Sequence, residues 1–145
     1  MRVALRRPHA ASRACPDESL AWEADRALAG QIGQRIHAVA PDVHENPRVR
    51  VAFVGSYHQE RTLALPGTLA WTGLFDTWNQ NQVARRKRAM DYAGFADFRV
   101  ASRADYDATL HLAETLPAWP DPGSVARSGN IVVVKLGPPN GYDLE

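Results

Sequence analysis

One cysteine, Cys15, is all the thiol that this sequence carries. An internal disulfide is therefore excluded, and so is a zinc site built on a cysteine cluster. Long hydrophobic runs are missing too. The best candidate, TLALPGTLAWTGLF at 62–75, is short and broken by Pro66, Gly67 and Gly73. It falls below the ~18 to 20 apolar residues that a helix needs to cross a bilayer. Net charge is nearly absent, at +1 over 145 residues, so the charge balance alone gives no reason to expect a nucleic-acid partner. The opening stretch, MRVALRRPHAASRAC, has no acidic residue and no apolar signal-peptide core, and residues 1–16 read as a flexible lead-in.

What is present is a change of period along one domain-sized chain. From Asp17 to Val39, Leu20, Ala24, Ala27, Leu28, Ile32, Ile36 and Val39 recur at helical steps, and Pro41 marks the stop. Gly30 and Gly33 weaken such a helix and read as sites of close packing. RVRVAFVG at 48–55 reads as a strand. A Pro-, Gly- and Thr-rich loop occupies 56–73, and a second helix is predicted from about Thr77, capped by Asp76, to Ala93, with Gly94 as its stop. DFRVA at 97–101 reads as a short strand, and a third helix follows Ser102 as N-cap and stops at Pro117. SVARSGNIVVVKL closes the sequence as a hairpin, with Ser128, Gly129 and Asn130 expected to supply positive φ angles. Ile131 to Val134 are β-branched without alternation, which predicts a strand covered on both faces. The expected fold is a small α/β sandwich: three to four mostly parallel strands with a C-terminal hairpin, packed by about three helices. Residues 17–137 form its one domain, and 138–145 read as a tail.

Motifs that would carry chemistry are few. VGSYHQERT follows a strand ending in glycine, yet matches neither the dinucleotide nor the P-loop glycine pattern, and its bland reading is a turn. Ser56 lacks a nucleophile-elbow context. His9, His37, His44, His58 and His111 show no H-x-x-x-H spacing, so a metal site would have to be assembled wholly by the fold, and none is expected. Asp105, Asp107 and Glu114 read as acids flanking or solvating the third helix. No catalytic residue and no cofactor is assigned. Two candidate contacts remain. The cations Arg85, Arg86, Lys87 and Arg88 form the candidate anion-binding run, weighed against a solvated helix surface. Trp119, in the loop LPAWPDPGSV, is the candidate glycan contact, weighed against the core or interface role that tryptophans more often take.

Four stretches in order, AWEADRALAGQIGQRI, VRVAFVGSY, TGLFDTW and LPAWPDPGSVARSGNIVVVKLG, resemble the C-terminal soluble part of bacterial Gtr-type (type II) glucosyltransferases. The family's tail resembles MP-x-W/Y-P-x-x-G-S-V followed by a turn and I-V-V-K-L. Here Leu116 stands where Met is frequent, a volume-conserving change. The match covers about residues 20 to 137 and contains no single diagnostic motif. The resemblance implies a periplasmic module beside an O-antigen-modifying enzyme that takes glucose from a polyprenyl-phosphate donor. It carries no catalytic residue onto this sequence. The implied partners are the membrane-embedded transferase portion or a neighbouring envelope protein, with glycan or polyprenyl-phosphate contact and no nucleic acid. The alternative is a stand-alone binding module using the basic helix or the Trp119 loop.

Overall fold

The computed structural model describes residues 16–57, 82–95, 97–141 and 143–144. Four strands form one sheet in the order β2-β1-β4-β3. Helix α1 (Pro16–Val39) precedes strand β1 (Arg50–Val54), and α2 (Gln82–Tyr92) precedes β2 (Arg99–Val100). Helix α3 (Arg103–Thr115) then leads through a short 3-10 turn (Pro122–Ser124) to β3 (Val125–Ser128) and β4 (Ile131–Lys135). Strand β1 pairs in parallel with β2 and with β4, while β3 and β4 form an antiparallel hairpin. The α/β sandwich expected from the pattern is the fold observed. Among the described residues, no helix is long and apolar enough to cross a membrane.

The two central strands explain the layering. In register, Val51 and Phe53 of β1 lie beside Val132 and Val134 of β4, and these four join Leu28, Ile32, Ile36 and Met90 in one core. Ala52, Val54 and Val133 point the other way and pack with Tyr106 and Ala113 of α3. Helices α1 and α2 therefore cover one face and α3 the other. Of the run Ile131 to Val134 expected to be covered on both faces, Val132, Val133 and Val134 have no exposed surface, while Ile131 at the head of the strand is half-buried. Burial of such side chains contributes about 1.5–3 kcal/mol each, an upper bound against an extended chain.

Local chemistry sets the joints. Ser102 caps α3 by accepting from the Asp105 N–H, and Asp105 accepts in return from the Ser102 N–H. At the end of α2, Gly94 adopts φ 85°, the Gly94 N–H donates to Asp91 O and the Phe95 N–H donates to Met90 O. This is the Schellman closure, and it swings Phe95 onto α1. There the ring lies where a Cβ on Gly33 would stand, 2.4 Å from Phe95 Cδ2. Gly33 is thus the close-packing glycine, whereas a Cβ on Gly30 would meet nothing within 4 Å.

Several expectations are corrected. Ala27 is exposed and Asp25 is buried, so among the side chains described the inward stripe of α1 is Leu28, Ala29, Ile32 and Ile36, with Val39 partly buried against the same core; Leu20 and Ala24 lie outside the side chains described. Of the hairpin turn residues only Gly129 has positive φ, at 58°, which suits the first position of a type II′ turn. The predicted start of the second helix at 76–81, the loop at 58–73 and residues 1–15 of the lead-in lie outside the described residues. Within 138–145, read as a tail, Asp143 is buried and Leu144 packs against the α3-side core.

Candidate functional site

In an open parallel sheet, ligands bind outside the carboxyl ends of the strands where the strand order reverses. That position here is the crevice between β1 and β4, because the chain leaves β1 toward β2 on one side and returns to β4 on the other. Two glycines shape it. Gly55 follows β1 at φ 75°, and a Cβ there would come within 2.3 Å of Gly137 O. Gly137 follows β4, and a Cβ there would come within 2.7 Å of Ser56 O. A side chain at either position would push the two backbones apart. The Leu136 N–H donates to Val54 O at 2.8 Å, extending the ladder into this joint.

The crevice is filled by the protein's own charges. Asp143 accepts from the Gly55 N–H at 2.9 and 3.0 Å and from the Asn140 N–H at 3.2 Å. The Tyr106 hydroxyl donates to it as well. Arg86 reaches in from α2, donates to Gly55 O at 2.6 Å and lies 3.6 Å from Asp143. Both side chains are 1 % exposed, so this is a buried ion pair with neutral donors around it. Burial pushes the Tyr106 phenol up, and its hydrogen bond to Asp143 adds to the shift. Burial also lowers the Arg86 guanidinium, with the Asp143 charge opposing. As described, the arrangement fastens four pieces of chain together: the end of β1, α2, α3 and the C-terminal segment.

The cationic run is thereby split. Arg86 is buried and is no surface contact for an external anion, which corrects both readings of it as a surface charge. Lys87 and Arg88 are exposed, and Arg85 is half-buried. The glycan-contact expectation for Trp119 meets a similar correction, because its side chain is buried in the α1-side core. The guanidinium of Arg35 lies 3.9 Å over the ring. It also donates to Pro120 O at 2.9 Å, to Asp121 O at 2.8 Å and to the Ser124 hydroxyl at 3.2 Å. The Trp119–Pro120 peptide bond is cis. LPAWPDPGSV is thus a loop strapped to α1 by one arginine, and it offers no open aromatic platform. Asp105, expected to flank α3, caps it and pairs with Arg50. Asp107 and Glu114 are exposed on the same helix.

Sequence reasoning passed over Asp143 and Tyr106. The signal that could have found them is the pair of glycines, one after each central strand, with a buried joint implied between them. Searches against family models, curated proteins and solved structures find no match for this chain. The architecture defines a class only: a three-layer α/β domain that, among the described residues, holds a buried Arg86–Asp143 pair at its switch point.

Proposed function

We propose that this chain is a non-catalytic accessory module of a membrane glucosyltransferase that modifies cell-surface polysaccharide. One observation carries the reading: described residues in three of the four resembling stretches form structural joints. VAFVGSY is β1 with the Gly55 joint. GNIVVVKLG is β4 with the Gly137 joint. QIGQRI carries Gly33, which seats Phe95, and Arg35, which straps the Trp119 loop. TGLFDTW lies outside the described residues. A resemblance concentrated in joints points to a shared scaffold and assigns no reacting group. The buried pair in the crevice supports the same reading, because the polar groups there hold one another.

In this reading the module lies on the periplasmic side of the inner membrane, against the membrane-embedded transferase portion or a neighbouring envelope protein. The exposed Lys87 and Arg88 are its contacts for anionic lipid or carrier phosphate. Three measurements test the proposal. Purified chain incubated with polyprenyl-phosphate-glucose and acceptor glycan is expected to transfer no glucose above a boiled control. Deletion of its coding sequence in the native host is expected to reduce glucose on the envelope polysaccharide, and the chain is expected to co-purify with an envelope membrane protein. Transfer by the isolated chain would show it to be an enzyme. Unchanged polysaccharide together with no envelope partner would end the reading.

A further inference from the structure

Away from the crevice, the fold assembles a pair of histidines that the spacing concealed. His37 lies in the last turn of α1 and His44 in the turn that follows it. Their Nε2 atoms are 2.9 Å apart. A point about 2.05 Å from both nitrogens, the usual imidazole-to-metal distance, would see them at an angle of about 90°. A tetrahedral ion would need them about 3.3 Å apart. The ring centroids tell the same story, at 4.7 Å. Rings converging on one ion at 90° would hold them at about 4.5 Å, and without an ion the same 2.9 Å is a hydrogen bond between the two Nε2 atoms of rings tilted by 46°.

We infer that His37 and His44 form a two-histidine site for a divalent transition ion of square-planar or octahedral preference, copper(II) or nickel(II) in chemical class. A cis pair of imidazoles at about 90° is the geometry those ions prefer. The surroundings favour it. His37 is half-buried against Phe95, at 5.6 Å between centroids, beside an apolar hollow lined by Gly33, Val43, Met90 and Phe98. His44 is exposed, so the remaining coordination positions open to water. The site sits at the carboxyl end of a long helix, where the backbone dipole favours a cation. Its turn is held in place: Asp42 accepts from Asn46 and, through both oxygens, from Arg127, and the Glu45 and Asn46 N–H groups donate to Asp42 O. Among the described residues no third histidine, cysteine or carboxylate completes a larger cluster. The protein therefore supplies two ligands.

The test titrates tag-free full-length protein with copper(II) and, separately, nickel(II) at neutral pH, read by calorimetry and, for copper, by electron paramagnetic resonance. The expected result is one ion per chain with a two-nitrogen hyperfine pattern. His44→Ala and His37→Gln should each remove that pattern, while His111→Ala should preserve it. Asp42→Ala, which frees the turn without touching a ligand, should weaken binding by about tenfold or more. Circular dichroism of each variant checks that the fold is intact. No uptake of either ion would overturn the inference. So would uptake that survives both His44→Ala and His37→Gln, or a copper spectrum showing a single nitrogen.

Discussion

Replacing Asp143 by alanine is the sharpest perturbation that this structure offers. The variant takes away the acceptor of the Gly55 and Asn140 N–H groups and of the Tyr106 hydroxyl, and removes the carboxylate facing Arg86 in a site with 1 % exposure. Removing one member of a buried ion pair costs about 3–5 kcal/mol, because the remaining charge stays desolvated. A domain of this size has only about 5–15 kcal/mol of stability in all. The expected loss of about 4 kcal/mol corresponds to a fall in Tm of about 8–16 °C at this chain length. Urea unfolding followed by tryptophan fluorescence measures it. Asp143→Asn, which keeps an acceptor for the Gly55 N–H but loses the charge, should fall between wild type and alanine. Arg86→Met should be costly by itself, and Arg86→Met with Asp143→Leu should cost well below the sum of the singles, since the double variant buries no charge. An Asp143→Ala cost under about 1 kcal/mol, or strict additivity with Arg86→Met, would refute the account of the crevice as a keystone.

Three further outcomes are expected. Arg35→Ala should destabilise by about 2 kcal/mol and red-shift tryptophan emission as the Trp119 loop loosens, and Arg35→Lys should recover little of it, because an ammonium cannot reproduce the planar fork over the ring. Asp42 is held down from 3.8 to about 2 by hydrogen bonds from Arg127 and Asn46, so its contribution is present above pH 3.8 and lost as pH falls toward 2. The urea midpoint should accordingly drop across that window, and Asp42→Asn should flatten the drop. Asp105, held low by Ser102 and Arg50, acts in the same direction. Lys87→Gln with Arg88→Gln should weaken sedimentation with anionic vesicles at low salt, by about 1 kcal/mol per cation, with stability nearly unchanged. Vesicle binding that ignores both the substitutions and added salt would remove the lipid contact.

The strand–helix alternation, the Ser102 cap, the Gly94 stop and the doubly covered β4 are all legible in the sequence, because each rests on neighbours within a few residues. The crevice was not legible. Arg86 looks like its cationic neighbours, and only a carboxylate 57 positions later distinguishes it. Trp119 reads as a loop residue until Arg35, far upstream, is laid over it. His37 and His44 fall outside every ligand spacing, since the turn begun at Pro41 and not the helix period brings them together. Contacts of that kind are set by the assembled fold, and local pattern cannot announce them.

The central pair of the sheet carries a consequence for the order in which the protein can be built on the ribosome. Strand β1 is made early, but the neighbour it pairs with for five residues, β4, comes about eighty residues later. Until that segment clears the exit tunnel, β1 has, among the described residues, only the two-residue strand β2 to pair with. The apolar strand must therefore wait, exposed or chaperoned, for most of the domain to be synthesised. A nascent chain arrested before Ile131 should be protease-sensitive throughout, and protection should appear in one step once β4 and Asp143 have emerged.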